Sequence, residues 1–203
     1  MKKYSILIYI LLSFYSCKKE NTSNTNEFSK ADYPIKIGNW WRYQVADFMQ
    51  QTTDTLMLKV VSLSNTNNQE VYTCQLILNN QIVDTGYYTI SSDRIEYSGF
   101  RQDYSYFGNF TLTLPFQVGF KWIGVNPKDT VKALSRIATF RINGKDYSPI
   151  YNLKRSYNLA GGYKITQNFI VSPKVGIVYQ TLDIFDGFPT QKQGFQLIDY
   201  ELN

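Results

Sequence analysis

Chemistry in this chain would have to come from carboxylates or lysines. Its 203 residues include no histidine. That removes the usual general base near neutral pH, the commonest metal ligand and any Ser-His or Cys-His dyad. Three carboxylates lie close in sequence: Asp93, Glu96 and Asp103. A carboxylate pair held about 5–10 Å apart could cleave a glycosidic bond. Next to them, "FRQDYSYFGNF" from Phe100 to Phe110 puts five aromatic rings into eleven residues. Exposed, Phe100, Tyr104, Tyr106 and Phe107 could stack on sugars while Arg101, Gln102 and Asp103 bond hydroxyls. Buried, the same rings would be core. Alternation sets Tyr104 and Tyr106 on one face of a strand and Phe107 on the other. The reading taken is core, with part of the cluster at a pocket mouth. Phe100, Arg101, Tyr104, Tyr106 and Phe107 are the candidate ligand-binding residues.

Other patterns are weaker. "LDIFDGF", with Asp183 and Asp186-Gly187, misses the calcium-loop spacing and reads as an Asp-Gly turn. "NLAGGYK", Asn158 to Lys164, lacks a Gly-x-Gly frame and a following helix, so it reads as a hairpin loop. Cys74 falls mid-strand in "EVYTCQLIL" on the face of Tyr72, Leu76 and Leu78, as a buried, inert thiol. No metal site, cofactor or catalytic residue is expected. The formal charge is +5, and basic residues are scattered along the chain rather than gathered into a run. The composition therefore suits no nucleic-acid partner.

The first seventeen residues carry the strongest functional signal. "MKKYSILIYILLSFYSCKKE" has a basic start at Lys2 and Lys3, an apolar run from Tyr4 to Leu12, and the small Ser16 before Cys17. This is the order of a secretory signal. The run is too short for a spanning helix, which needs about 20 residues. With cysteine directly after the small residue, the segment resembles a bacterial lipoprotein signal, with Phe14 where the usual box has Leu. The resemblance implies cleavage after residue 16, acylation of Cys17 and anchoring by two or more chains. Relaxed boxes followed by "SCKK" resemble lipoproteins of the Bacteroidota. Lys18 is not Asp, which favours outer-membrane delivery. The partners implied are the membrane, through the anchor, and a glycan, lipid or envelope protein at the domain. Residues 17–32, rich in Asn, Thr and Ser, read as a tether with a reach of roughly 20 Å.

From Tyr33 to Asn203 the pattern is short strands and turns. The expectation is a single all-β antiparallel domain of about ten strands, strongly curved as a barrel or packed as a sandwich, which protects its edges. Asn79-Asn80 and Asn143-Gly144 mark hairpins, since both residues of each pair tolerate positive φ. "YPIKIGNWWRY" and "LPFQVGFKWIG" share a frame: Pro34, Ile37, Gly38 and Trp41 against Pro115, Val118, Gly119 and Trp122. The frame reads as an extended approach, a glycine turn, then a strand with a buried Trp, and it suggests two weakly similar halves. With "SPKVGIVYQ", these stretches resemble a group of uncharacterised lipoproteins with a "PLKVGNxWxY" opening. That resemblance implies an all-β envelope protein and brings no activity. Asp54-Thr55-Leu56 and Asp129-Thr130-Val131 resemble the Asp-Ser/Thr-apolar acceptor of O-glycosylation in exported Bacteroidota proteins, and read equally well as strand starts. The functional expectation is a non-catalytic envelope lipoprotein, with a carboxylate hydrolase such as a glycosidase as the alternative.

Overall fold

The computed structural model describes residues 27–99, 109–124, 129–158, 162–185, 187 and 189–203. A single 3-10 turn, Lys30–Asp32, precedes fourteen strands. They are β1 (Trp40–Asp47), β2 (Thr52–Thr66), β3 (Gln69–Leu78), β4 (Gln81–Ile90), β5 (Arg94–Gly99), β6 (Phe110–Thr113) and β7 (Lys121–Ile123). Then follow β8 (Thr130–Ile137), β9 (Phe140–Ile142), β10 (Lys145–Tyr147), β11 (Ile150–Asn158), β12 (Lys164–Ser172), β13 (Gly176–Phe185) and β14 (Pro189–Glu201). Twelve of them form one antiparallel sheet nearly closed into a barrel. The small β9–β10 hairpin stands apart. The all-β expectation holds, in its barrel form. The extra strands come from "VKALSRIATFRINGKDYSPIYNLKRSY", which breaks at Ala138 and again at Pro149 into four pieces rather than two arms.

Strand formation follows from alternation. β1 buries Trp41, Tyr43 and Val45, and β3 buries Tyr72, Cys74 and Leu76. Each set faces the inside while intervening residues face out. Asn67-Asn68, Asn79-Asn80 and Asn143-Gly144 all have positive φ at both positions, as two-residue hairpin turns require. One-residue register shifts interrupt six ladders. Such bulges sharpen twist and bend a sheet towards closure.

Spatial order follows chain order, with one break. The sheet runs β6-β5-β4-β3-β2-β1-β14-β13-β12-β11-β8-β7. The first and last strands therefore pair in its middle, and its two free edges, β6 and β7, are consecutive in sequence. Six strands lie on each side of the β1–β14 junction.

The repeated frame is a repeated structure. Gly38 has φ +90° and Gly119 φ +93°. In the first copy the Asn39 N–H bonds Lys36 O, Gly38 N–H bonds Val60 O on β2, and Val60 N–H returns to Asn39 O. In the second, Phe120 N–H bonds Gln117 O, Gly119 N–H bonds Ala133 O on β8, and Ala133 N–H returns to Phe120 O. Trp41 then pairs with Leu58 and Trp122 with Val131, at matching offsets. Tyr33 and Ile35 are buried, as are Leu114 and Phe116. Each Trp is buried and donates its indole N–H to a carbonyl: Trp41 to Val175 (2.6 Å) and Trp122 to Thr111 (2.8 Å).

The chain joins the barrel earlier than the tether boundary at Asp32 read from the sequence. Phe28 is fully buried and pairs with Phe116 through two backbone hydrogen bonds of 2.8 and 3.1 Å. Its ring stacks on Phe116 at 4.9 Å and meets Tyr151 edge-on at 5.6 Å. The polar neighbours suggest coil, but one large aromatic at a core position outweighs them. Phe28, Tyr33, Phe116, Trp122 and Tyr151 plug this end of the barrel, called the tether end below. β1 rises from it, so β1, β3, β5, β7, β11 and β13 end, and β2, β4, β6, β8, β12 and β14 begin, at the opposite, far end.

Two outcomes follow. Alanine at Gly38 or Gly119 forces a Cβ onto positive φ, at a cost of about 1–3 kcal/mol. At Gly38 that Cβ also meets Asn203 Nδ2 at 2.6 Å, whereas at Gly119 it meets nothing within 4 Å. Both variants should lower the urea midpoint, Gly38→Ala more. The second outcome is alkaline. Burial raises the hydroxyls of Tyr43, Tyr88 and Tyr97 well above 10.0, and raises Tyr33 as well. The unfolded chain loses these protons near pH 10 and the folded chain does not. The stability they contribute is therefore intact below pH 10 and is lost as pH rises beyond it. The buried tyrosines should ionise in one cooperative step together with loss of the β circular-dichroism signal, above the gradual ionisation of the exposed ones.

Candidate functional site

The barrel interior changes character along its axis. The tether end and middle are aromatic. Tyr88 lies 4.9 Å from Tyr97 and 6.0 Å from Phe110, and Phe110 stacks on Tyr97 at 5.7 Å. Towards the far end, inward positions turn polar. These are Asp84 on β4, Arg155 on β11, Gln167 on β12, Gln180 on β13 and Gln193 on β14, with Asp129 just before β8, all buried. Ladder pairs Arg155–Gln167, Gln167–Leu182, Leu182–Gln193 and Gln180–Phe195 place four of them side by side around one wall. Opposite, β1 to β3 offer Val45, Leu56 and Leu76.

Arg155 organises this wall. Its Nε donates to Asp129 Oδ2 at 2.7 Å, and Nη2 lies 2.7 Å from the same oxygen. Nη1 donates to Gln167 Oε1 at 2.7 Å and to the backbone oxygen of Asn109. The guanidinium also sits 4.5 Å from the ring centre of Tyr157. A buried charge needs this degree of pairing. Gly124 is required beside it, because a Cβ there would fall 2.3 Å from Asp129 Oδ2. Asn109 precedes β6, Asp129 precedes β8 and Arg155 lies on β11, so the cluster crosses the open β6–β7 seam from inside. Trp122 crosses it again nearer the tether end by bonding Thr111 O.

Gln180 and Gln193 are different. Neither amide atom of Gln180 has a hydrogen-bond partner among the described residues, and neither does Gln193 Oε1. Buried amides are nearly always paired. These two therefore hold unmet hydrogen-bonding capacity inside the barrel.

A groove of about 630 Å³ lies at the tether end, lined by Lys30, Lys36, Glu70, Tyr72, Lys174 and Leu202 among others. Its single carboxylate, Glu70, is paired with Lys30 at 3.1 Å.

The candidates read from sequence fall unevenly. Cys17 and the ligand candidates Phe100, Arg101, Tyr104, Tyr106 and Phe107 lie outside the described residues, as does Asp103. Gly99 and Asn109, which flank the β5–β6 connection, lie at the far end, and Gly99 N–H bonds Asn109 Oδ1 at 2.9 Å. Phe110, the last ring of the stretch, is core. Asp93 and Glu96 are near the tether end on or beside the β4–β5 turn. Asp93 accepts from Ser91 at 3.1 Å and Glu96 from Arg94 at 3.1 Å. Neither lines the groove. Cys74 is buried, and burial pushes its thiol up to about 12. In the tripeptide Asp129-Thr130-Val131, Thr130 is partly exposed, while Asp129 is fully buried under Arg155. Sequence reading missed the Arg155 cluster because its members are 12 to 46 residues apart. The available signal was a charged residue on an inward position of the "YNLKRSYN" strand.

One known structure shares this architecture. A protein named as exported, with a YmcC-like fold, from Bacteroides fragilis aligns with TM-score 0.55 over 83% of this chain and 98% of its own, at 10% identity. A protein named as a lipoprotein from Parabacteroides distasonis aligns with TM-score 0.49 over 86% and 100%, at 11% identity. At these identities the first likeness establishes fold alone. No family model matches the sequence, and no curated protein does.

The Arg155 cluster makes a direct prediction. Arg155→Leu strands the Asp129 carboxylate in the core and should cost about 3–5 kcal/mol. Adding Asp129→Asn removes the uncompensated charge and should recover part of the loss. Urea unfolding followed by tryptophan fluorescence reads both; equal stability of Arg155→Leu and the wild type would contradict the assignment.

Proposed function

We propose that this chain is an envelope lipoprotein, acylated at Cys17 and held at the outer membrane. In this reading its barrel works without catalysis, as a binding module for a hydroxyl-rich ligand such as a glycan. The observation that carries the reading is the polarity gradient along the barrel. The end joined to the N-terminal segment is plugged by aromatic rings, whereas the far half presents Gln180 and Gln193 with unspent hydrogen-bonding capacity. Arg101, Tyr104 and Tyr106 belong to a connection whose two flanks stand at that same far end. Apolar residues of β1 to β3 face the polar wall, a mixture that suits the two faces of a sugar ring. Export is also what the Bacteroides fragilis protein of shared fold is named for. The carboxylate-hydrolase alternative receives no support from Asp93 and Glu96, neither of which lines the tether-end groove.

The test has two arms. An alkynyl palmitate should label the wild type and not Cys17→Ser; equal labelling removes the anchor. On a glycan array the wild type should bind. Tyr104→Ala should bind about tenfold more weakly, as for truncation of a central aromatic anchor, and Gln180→Leu should also weaken binding. A reproducible protein partner from solubilised envelope with no glycan signal would replace the ligand reading by a scaffold. Glycoside turnover abolished by substituting Asp93, Glu96 or Asp103 would overturn the non-catalytic reading.

A further inference from the structure

Basic residues that are scattered in sequence are aligned by register. Lys121 on β7 pairs with Lys132 on β8, and Lys132 pairs with Lys154 on β11. Three ammonium groups thus stand in one row across three neighbouring strands on the outside of the barrel, all exposed. Strand spacing makes the row about 10 Å long. Like charges directly opposite one another destabilise a sheet. None of the three lysines has an ion-pair partner among the described residues. The strands offer none, since β7, β8, β11 and β12 contain no aspartate or glutamate at all. Lysine on an edge strand such as β7 discourages edge-to-edge pairing, but β8 and β11 are interior strands and need no such guard. The equivalent row in the other half is Trp40–Lys59–Gln75, so the repeat itself does not demand the lysines.

Apolar side chains share the surface. Ile123 is 61% exposed and Leu134 40% on the same strands, and Val118 and Phe120 are each 45% exposed on the turn leading into β7. The route of the chain adds direction. Phe28 pairs with Phe116, two residues before Val118, so the N-terminal segment leaves the barrel beside this patch.

We propose that the β7–β8–β11 face lies on an anionic lipid surface. The Lys121–Lys132–Lys154 row would meet headgroups, and Ile123, Leu134 and the Val118–Phe120 turn would enter the interface. A row of like charges with no internal counterion suits a lattice of phosphates, and exposed apolar residues among cations suit a bilayer better than nucleic acid. The proposal rests on the membrane-anchored reading for proximity, and adds which side of the barrel faces the bilayer.

The test uses the full chain, made in a host that processes lipoproteins, with an environment-sensitive fluorophore on Ile123→Cys or on Lys59→Cys. Lys59 occupies the place of Lys132 in the other half and lies six strands from β8 in sheet order. Buried Cys74 stays unlabelled, and the chain without an added cysteine sets the background. In vesicles of phosphatidylglycerol and phosphatidylcholine, the Ile123 probe should shift blue and be quenched by spin-labelled lipid, and the Lys59 probe should not. High salt, or Lys121→Gln, Lys132→Gln and Lys154→Gln together, should lower the docked-to-undocked ratio by roughly a hundredfold. Circular dichroism checks that the triple variant is folded, and the salt series on the wild-type lysines gives the same answer independently. If the chain floats with vesicles but both probes report water, or both respond equally, the face is wrong and the anchor stands. Failure to float with any vesicle refutes the anchor itself. A shift at Ile123 that grows with protein concentration without vesicles assigns the face to a second copy and overturns the proposal.

Discussion

The barrel depends on a seam that has no ladder. At the β14–β1 junction eight residue pairs are in register; at the β6–β7 edges none is. Closure there falls to side chains, with Trp122 reaching Thr111 O and Arg155 reaching Asn109 O. Both use a group that must be satisfied in any case, since a buried indole N–H and a buried guanidinium each need acceptors. The free backbone of β6 and of Asn109 just before it supplies those acceptors. The need of a side chain for a partner and the need of an edge for cover are met by the same bonds. The far-end polar wall follows from this, because Arg155 draws Asp129 and Gln167 inside with it.

The two halves solve the same problem with different residues. Each begins with an apolar–Pro–apolar approach and a glycine turn that returns to its own second strand. Thereafter they diverge. The second half adds the β9–β10 hairpin, whose Asn143 side chain donates to Leu197 O at 2.9 Å. It also places cations where the first half has Trp and Gln. What repeats is what starts a sheet; what differs is what faces solvent.

Much of the fold was legible because its signals are local. Asn-Asn and Asn-Gly turns, alternation around Tyr43 and Cys74, and the Gly38/Gly119 frame each sit within a dozen residues. The tether boundary was misplaced because one ring, Phe28, decides it against five polar neighbours. The Arg155 cluster and the lysine row were not legible, because each is created by register. Lys121, Lys132 and Lys154 become neighbours only when β7, β8 and β11 are aligned, and a slip of one residue would turn any of them to the other face. Binding surfaces on sheets are written across strands, so one-dimensional reading finds the strands and misses the surface.

The pairing of the first strand with the last has a consequence for biogenesis. Trp40 Nε1 bonds Glu201 Oε2, and the two residues are 161 positions apart. Until β14 is available, β1 has one raw edge. Such long-range closure is slow, and an uncovered edge invites pairing with another chain. The window of vulnerability is set by how soon β14 joins β1, not by the stability of the finished barrel.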